Sequence, residues 1–365
     1  MAERAAGIPK MEVVVIGGGQ AGLSSAYYLG QAGLVPDREF TLLDRAPGPG
    51  GAWQFRWPSL TLSTVNGIHD LPGGIALAAS AAPGETGDVR AAEAVPRYFA
   101  EVERAFALPV HRPVEVLAVR DHGARLRIET DRGTLSARGI INATGTWDAP
   151  HIPPYPGADS FRGRQLHAHD YCGAAEFAGQ HVVVVGGGIS AVQILDEISQ
   201  VAGTTWVTRR PPDFHEGAFR AADGRAAVAR VEARVRAGLP PGSLVSVTGL
   251  PPSPALQAAR DRGALERLPM FARITPEGVE WADGRRQRAD AILWATGFGN
   301  ALGHLAPLGL VNAEGGIRMS GRLATQVAAD PRIHLVGYGP SASTIGANRA
   351  GRAAAEELLR HLGRR

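Results

Sequence analysis

Sulfur and lysine are scarce in this chain of 365 residues. It has a single cysteine, Cys172. That excludes an internal disulfide framework, a thiolate metal cage and a paired redox dithiol within one chain. Lys10 is the only lysine, and every other basic residue is arginine. The formal net charge is only +3, so nothing calls for nucleic acid. No apolar run reaches the length of a membrane span. The stretch from Met1 to Met11 has no apolar signal core, so a soluble, cytoplasmic protein without a membrane partner is expected. No metal site is expected, and His167 is not read as a metal ligand. Hydrophobic residues at 44% and charged residues at 20% are ordinary globular values. The length allows two domains with cores of their own.

What is present is a repeated pattern. Glu12–Ile16 reads as a short buried parallel strand. Gly17, Gly19 and Gly22 follow in Gly-x-Gly-x-x-Gly spacing. Ala21–Leu29 is helical in character, and the strand Phe40–Leu43 ends on Asp44. Such a strand–turn–helix–strand–acid unit holds a pyrophosphate on a helix N-terminus and a ribose on the acid. The second copy starts with Val182–Val185 and continues through Gly186, Gly188 and Ala191 into a helix ending at Ile198. Its next strand, Thr204–Val207, is followed by Thr208, Arg209 and Arg210. Two arginines in place of an acid attract a 2′-phosphate; the alternative is a pair of solvated surface charges. The first copy therefore suits FAD or NAD, and the second suits NADP.

The duplication continues. Arg125–Glu129 and Thr134–Asn142 form an expected strand pair closing on Ala143, Thr144 and Gly145. Ala272–Thr275, Val279–Ala282 and Ala289–Trp294 close on Ala295, Thr296 and Gly297. A strand Ile333–Val336, a small-residue loop and a helix Arg349–Leu362 end the chain. This tail is expected to return to the first half and aim a helix N-terminus at its cofactor. The fold class expected is α/β, with two Rossmann-like dinucleotide-binding domains, each a parallel sheet with helices plus a β-meander. Their spans are 1–150 with 298–365, and 180–297, joined by 151–179.

With two such units, two Ala-Thr-Gly closures and a C-terminal return, the chain resembles the flavoproteins with two dinucleotide-binding domains. The single cysteine argues against their disulfide-reducing branch. Phe161, Gly163, His167 and Tyr171 stand in the order F-x-G-x-x-x-H-x-x-x-Y, just before the second glycine motif. That order resembles the signature of the flavin-containing monooxygenases. Gly50–Trp53 matches their Gly-Gly-x-Trp. The short length, "TTWVTRR" and "HLVGYG" look most like small bacterial members, some of them associated with arsenic resistance. Cys172 alone cannot cage trivalent arsenic, which prefers several thiolates. Ile189 and Ala191 replace the Asn and last Gly common in the family's second motif, and Asp44 replaces its common Glu.

The resemblance implies FAD held by Gly17, Gly19, Gln20, Ala21 and Gly22, with Asp44 on the ribose and Val114 at the adenine. Gly51, Ala52 and Trp53 would lie beside the flavin, and Ala143, Thr144 and Gly145 near the pyrophosphate. Thr344 and Ile345 would offer N–H groups to the isoalloxazine edge. NADPH would use Gly186, Gly188, Ile189, Ser190, Ala191, Arg209, Arg210, Thr296 and Gly297. The implied activity is oxygenation of a small soft nucleophile by dioxygen, through a flavin C(4a)-hydroperoxide. Asn66 is the candidate beside the reacting oxygen. The rival is an NADPH-dependent flavin oxidoreductase passing electrons to a quinone or protein. A homodimer is the base-rate expectation.

Overall fold

A computed structural model of the chain describes residues 8–65, 67–80, 88–214, 221–242, 249–250 and 252–364. Two parallel sheets organise it, and each grows from one of the valine runs. The first half contains β1 (Lys10–Ile16), α1 (Gln20–Gln31), β2 (Phe40–Leu43), α2 (Ala91–Ala105) and β3 (Val110–His111). The strands β4 (Val116–His122), β5 (Arg125–Thr130) and β6 (Gly133–Asn142) follow. β1 lies between β2 and β6 and is parallel to both, with Val13 opposite Phe40 on one side and Gly139 on the other. β4, β5 and β6 run antiparallel as the expected meander.

The middle of the chain repeats the plan. It contains β7 (Arg164–His167), β8 (His181–Val185), α3 (Ile189–Ile198), β9 (Gly203–Thr208), α4 (Ala221–Arg236) and α5 (Pro254–Asp261). β10 (Arg267–Pro269), β11 (Arg273–Thr275), β12 (Gly278–Glu280), β13 (Arg286–Arg288) and β14 (Ala291–Trp294) complete it. The second sheet runs β10-β9-β8-β14-β7, while β11, β12 and β13 form a separate antiparallel meander. The signature segment is thus not a bare connection. Its Arg164–His167 pairs with β14 as an edge strand.

Strand alternation explains why both valine runs are buried on two faces. Val13 and Val15 pack with α1, α2 and the C-terminal helix, while Val14 and Ile16 pack against the first meander. Val182 and Val184 pack on α3, and Val183 and Val185 pack on Phe271, Val279 and Trp281 of the second meander side. The chain then returns. β15 (Met319–Ser320), β16 (Gln326–Val327) and β17 (Ile333–Leu335) join the first sheet, β17 running parallel beside β6.

The last helix, α6 (Thr344–His361), begins five residues before the expected Arg349. Gly346 and Asn348 are poor helix formers and mask its start. Ser343 overrides them as the N-cap, its hydroxyl accepting from Gly346 N–H at 3.1 Å. Ala347 and Ala350 then bury against α1. No helix among the described residues is long and apolar enough to cross a membrane.

Candidate functional site

The first glycine turn is fixed by contacts that no other residue could make. Gly17 has φ +101°, and a Cβ there would stand 2.5 Å from Ala143 O. A Cβ at Gly22 would lie 1.8 Å from Gly17 O, so α1 closes directly onto the turn. Gly19 is the N-cap of α1 and provides no side-chain cap. The nearest atom to a Cβ there is 3.9 Å away. The first N–H groups of α1 are therefore left for an external acceptor. Beside them, Gln20 Nε2 donates to His69 O at 3.0 Å and to Asn348 Oδ1 at 2.9 Å, while Gln20 Oε1 is buried without a partner. An open cradle of backbone donors fits the pyrophosphate end of a dinucleotide.

Asp44 stands at the end of β2, buried, with Val114 N–H donating to its carbonyl at 2.9 Å. Its carboxylate accepts from Arg112 Nε at 2.7 Å, and Arg112 also grips Glu103 of α2 through two 2.7 Å bonds. Burial works against the charge of Arg112, but the hydrogen bonds of Glu103 and Asp44 outweigh it and raise its pKa. Arg112 thus orients the Asp44 carboxylate, and Oδ1, which accepts only from Ala46 N–H at 3.4 Å, can take a ribose hydroxyl.

Gly51, Ala52 and Trp53 form a 3₁₀ turn, Gly51–Phe55, pressed on α1: a Cβ at Gly51 would come within 2.8 Å of Gly19 Cα. Trp53 packs against the cores of both halves. Thr344 Oγ1 is tied to His69 and Gly67, and Ile345 is exposed. Asn66 lies outside the described residues.

The second turn repeats the first with more room. A Cβ at Gly186 would meet Ala295 O at 2.2 Å, whereas one at Gly188, the uncapped N-cap of α3, would meet nothing within 4 Å. Ala191 is buried under the helix, and Ile189 and Ser190 are only partly covered. Arg209 and Arg210 are both exposed at the end of β9. Arg267 of the neighbouring strand reaches the same end, its Nε donating to Thr208 Oγ1 at 2.8 Å.

The signature residues brace the second closure and its sheet. His167 is buried and accepts at Nδ1 from His169 N–H at 2.9 Å, so Nε2 carries the proton and donates to Gly297 O at 3.0 Å. Burial, the larger cause, lowers its pKa. Gly163 is required because a Cβ there would strike Asp290 O at 2.4 Å and the ring of Phe161. The strand leaving the first closure lies against the one leaving the second: Gly299 N–H donates to Ala149 O at 2.7 Å and Ala301 N–H to Gly145 O at 3.0 Å. Thr144 Oγ1 donates to Ala301 O at 2.7 Å, and Thr296 Oγ1 donates to His151 O.

Glu197 of α3 completes this junction and was not expected from sequence. Oε1 accepts from Trp57 Nε1 at 3.2 Å and Ser59 Oγ at 2.7 Å, and Oε2 accepts from Tyr171 OH at 2.7 Å. Burial and Glu197 raise the Tyr171 pKa, keeping the hydroxyl a donor.

His304 supports the first closure from behind. It lies 2.7 Å from Asn142 Oδ1, and Asn142 in turn donates to Thr144 Oγ1 at 3.0 Å. Burial pushes His304 down to about 4 and His334 to about 3 from the ordinary 6.5. Both are neutral in the fold, so their stability contribution is complete above pH 6.5 and is lost as pH falls toward 4. Each should cost roughly 1.4 kcal/mol per pH unit in that window. Melting temperatures measured from pH 7 to 4.5 should fall, with a shallower slope in His304→Gln. Equal slopes would remove His304 from this account.

A family model described as pyridine nucleotide-disulphide oxidoreductase matches residues 14–218. An uncharacterized CzcO-like oxidoreductase from Geobacillus kaustophilus is 30% identical over 190 residues, 52% of this chain and 52% of that protein. The chain thus spans about half the length of that curated relative. The solved flavin-containing monooxygenase from Stenotrophomonas maltophilia is 38% identical, covering 97% of this chain and 100% of that one, with a TM-score of 0.82. The bacillithiol disulfide reductase from Staphylococcus aureus, at 18% identity and a TM-score of 0.70 over 97% of this chain, shares the fold. The chain therefore belongs to the pyridine nucleotide-disulphide oxidoreductase family, among the bacterial flavin-containing monooxygenases.

Proposed function

We propose that the chain is an FAD- and NADPH-dependent monooxygenase that places one atom of dioxygen on a small soft nucleophile, an amine nitrogen or a sulfide sulfur. The carrying observation is a pair of open helix N-termini with opposite chemistry beyond them, Asp44 after one and Arg209 and Arg210 after the other. In this reading residues 1–150 and 298–365 hold FAD, 180–297 hold NADPH, and 151–179 carry the signature between them.

Bound flavin supplies the electron transfer from NADPH and the activation of dioxygen. The chain's own residues bind and orient. The N–H groups after Gly19 and Gly188 neutralise the two pyrophosphates. Asp44 accepts from the adenosine ribose. The first N–H groups of α6, at Thr344 and Ile345, stabilise negative charge developing on the flavin. Trp53, Trp147 and Phe298 exclude water from the junction. His167 braces the second closure at Gly297, and the bonds of Ala301 to Gly145 and Thr144 tie that closure to the first, so that the two nucleotides meet in one orientation.

Two measurements test this. Replacing Arg209 and Arg210 together by Gln should raise the NADPH KM by one to two orders of magnitude and leave the NADH KM nearly unchanged, because charge-assisted bonds to the 2′-phosphate are lost. Equal use of both nucleotides by the unaltered protein would dismiss these arginines. With thioanisole or a tertiary amine, the oxygenated product should match NADPH consumed. NADPH consumption with peroxide release and no oxygenated product from either class would replace oxygenation by simple electron transfer.

A further inference from the structure

One cation at the junction has no counter-charge among the described residues. Arg56 caps the turn Gly51–Phe55, its N–H donating to Trp53 O at 3.2 Å. Its guanidinium carbon lies 4.4 Å from the ring centre of Trp147 and 5.7 Å from that of Trp53. Nε is buried and has no hydrogen-bond partner. Other withdrawn arginines in this chain are matched: Arg112 lies between Asp44 and Glu103, and Arg332 between Asp330 and Asp121. Burial lowers Arg56 to about 10, which still leaves it charged at neutral pH. Two indole faces offset part of its lost hydration but provide no acceptor for its five N–H groups.

The surroundings indicate what would complete it. Phe55, exposed, is parallel to Trp147 within 9° at 6.4 Å, and Phe298 stacks on Trp147 at 5.3 Å. Trp57, the next residue, is buried and locked to Glu197, so the backbone under Arg56 cannot drift. A fixed, partly buried fork beside partly open aromatic faces matches a ligand with a planar apolar body and a carboxylate. The phosphates of the two nucleotides already have donor sites at the helix N-termini after Gly19 and Gly188 and at Arg209 and Arg210, which leaves Arg56 unassigned.

We infer that Arg56 anchors a carboxylate on the substrate, so that the preferred substrates are small aromatic acids carrying the reacting group. The word substrate here rests on the oxygenase reading, but the binding does not need turnover. Equilibrium dialysis of flavin-loaded protein against phenylacetate and phenylacetamide separates the two. Phenylacetate should bind at least about tenfold more tightly than its neutral isostere. Arg56→Gln should abolish that preference while retaining flavin, and Arg56→Lys should restore part of it. Equal binding of the two probes by the unaltered protein overturns the proposal, as does a preference that survives in Arg56→Gln. So does a loss of NADP⁺ affinity in Arg56→Gln as large as the loss for phenylacetate, which would make Arg56 a nucleotide contact. A protein that shows the expected preference yet oxygenates no sulfide or amine keeps the carboxylate site and loses only the oxygenase reading.

Discussion

Gly22→Ala should yield a protein that no longer retains flavin. The added Cβ would stand 1.8 Å from Gly17 O, a backbone atom that has no rotamer to change. The turn cannot move away, because Gly17 itself is pressed on Ala143 O at 2.5 Å from its own Cβ position. α1 cannot move away either. Its opposite face meets α6 at Gly351, where a Cβ would already be 2.8 Å from Ser24 Oγ and 3.0 Å from Ser25 N. The overlap must then open the space between β1 and α1, at about 3 kcal/mol or more. Gly188→Ala is the control. Its Cβ meets nothing within 4 Å, so melting should be unchanged while the NADPH KM rises from crowding in the second cradle. The flavin-to-protein absorbance ratio and thermal melting report both. Full flavin content and unchanged melting in Gly22→Ala would refute the close-packing account of this turn.

Both cradles are legible in the sequence for a local reason. A buried parallel strand and a phosphate turn leave contiguous signatures, a β-branched run followed by glycines at fixed spacing. β2 accordingly occupies the expected Phe40–Leu43. The C-terminal return is legible from the isolated strand Ile333–Val336, although the start of α6 is hidden by low-propensity residues that tertiary contacts override. The pairs that orient the site are another matter. Glu197 lies 140 residues from Trp57, and Arg112 lies 68 from Asp44. Neither leaves a spacing rule, since each pair exists only once the elements have packed. The signature Phe161–Tyr171 is visible as a pattern, but its mechanics are not. His167 turns out to bind a carbonyl of the closure that follows the strand beside its own, and Tyr171 a carboxylate on α3. Arg56 is equally silent in sequence, because its distinction is the absence of a partner among the described residues.

Glu197→Ala should loosen the junction more than any other single change away from the glycine turns. The carboxylate collects three neutral donors from two places: Trp57 and Ser59 from the segment after the turn Gly51–Phe55, and Tyr171 from the end of the signature. Truncation leaves the Tyr171 hydroxyl and the Trp57 indole N–H without acceptors, and both side chains are buried, at 2% and 3% exposure. Stranding two buried donors costs about 1–3 kcal/mol each. The second contact between these segments, Gln193 Nε2 to Thr64 O at 3.0 Å, is exposed and cannot replace it. The functional consequence follows from geometry. Trp57 is the residue after Arg56 and four after Trp53, so slack there spreads to the aromatic wall that excludes water. Thermal melting should fall clearly, and more NADPH should be diverted to peroxide at nearly unchanged NADPH KM. Glu197→Gln keeps one acceptor oxygen and should recover part of both. A positional role requires that ordering. If Ala and Gln variants uncouple equally, or if the Ala variant raises the NADPH KM instead, Glu197 belongs to nucleotide binding and the latch is wrong.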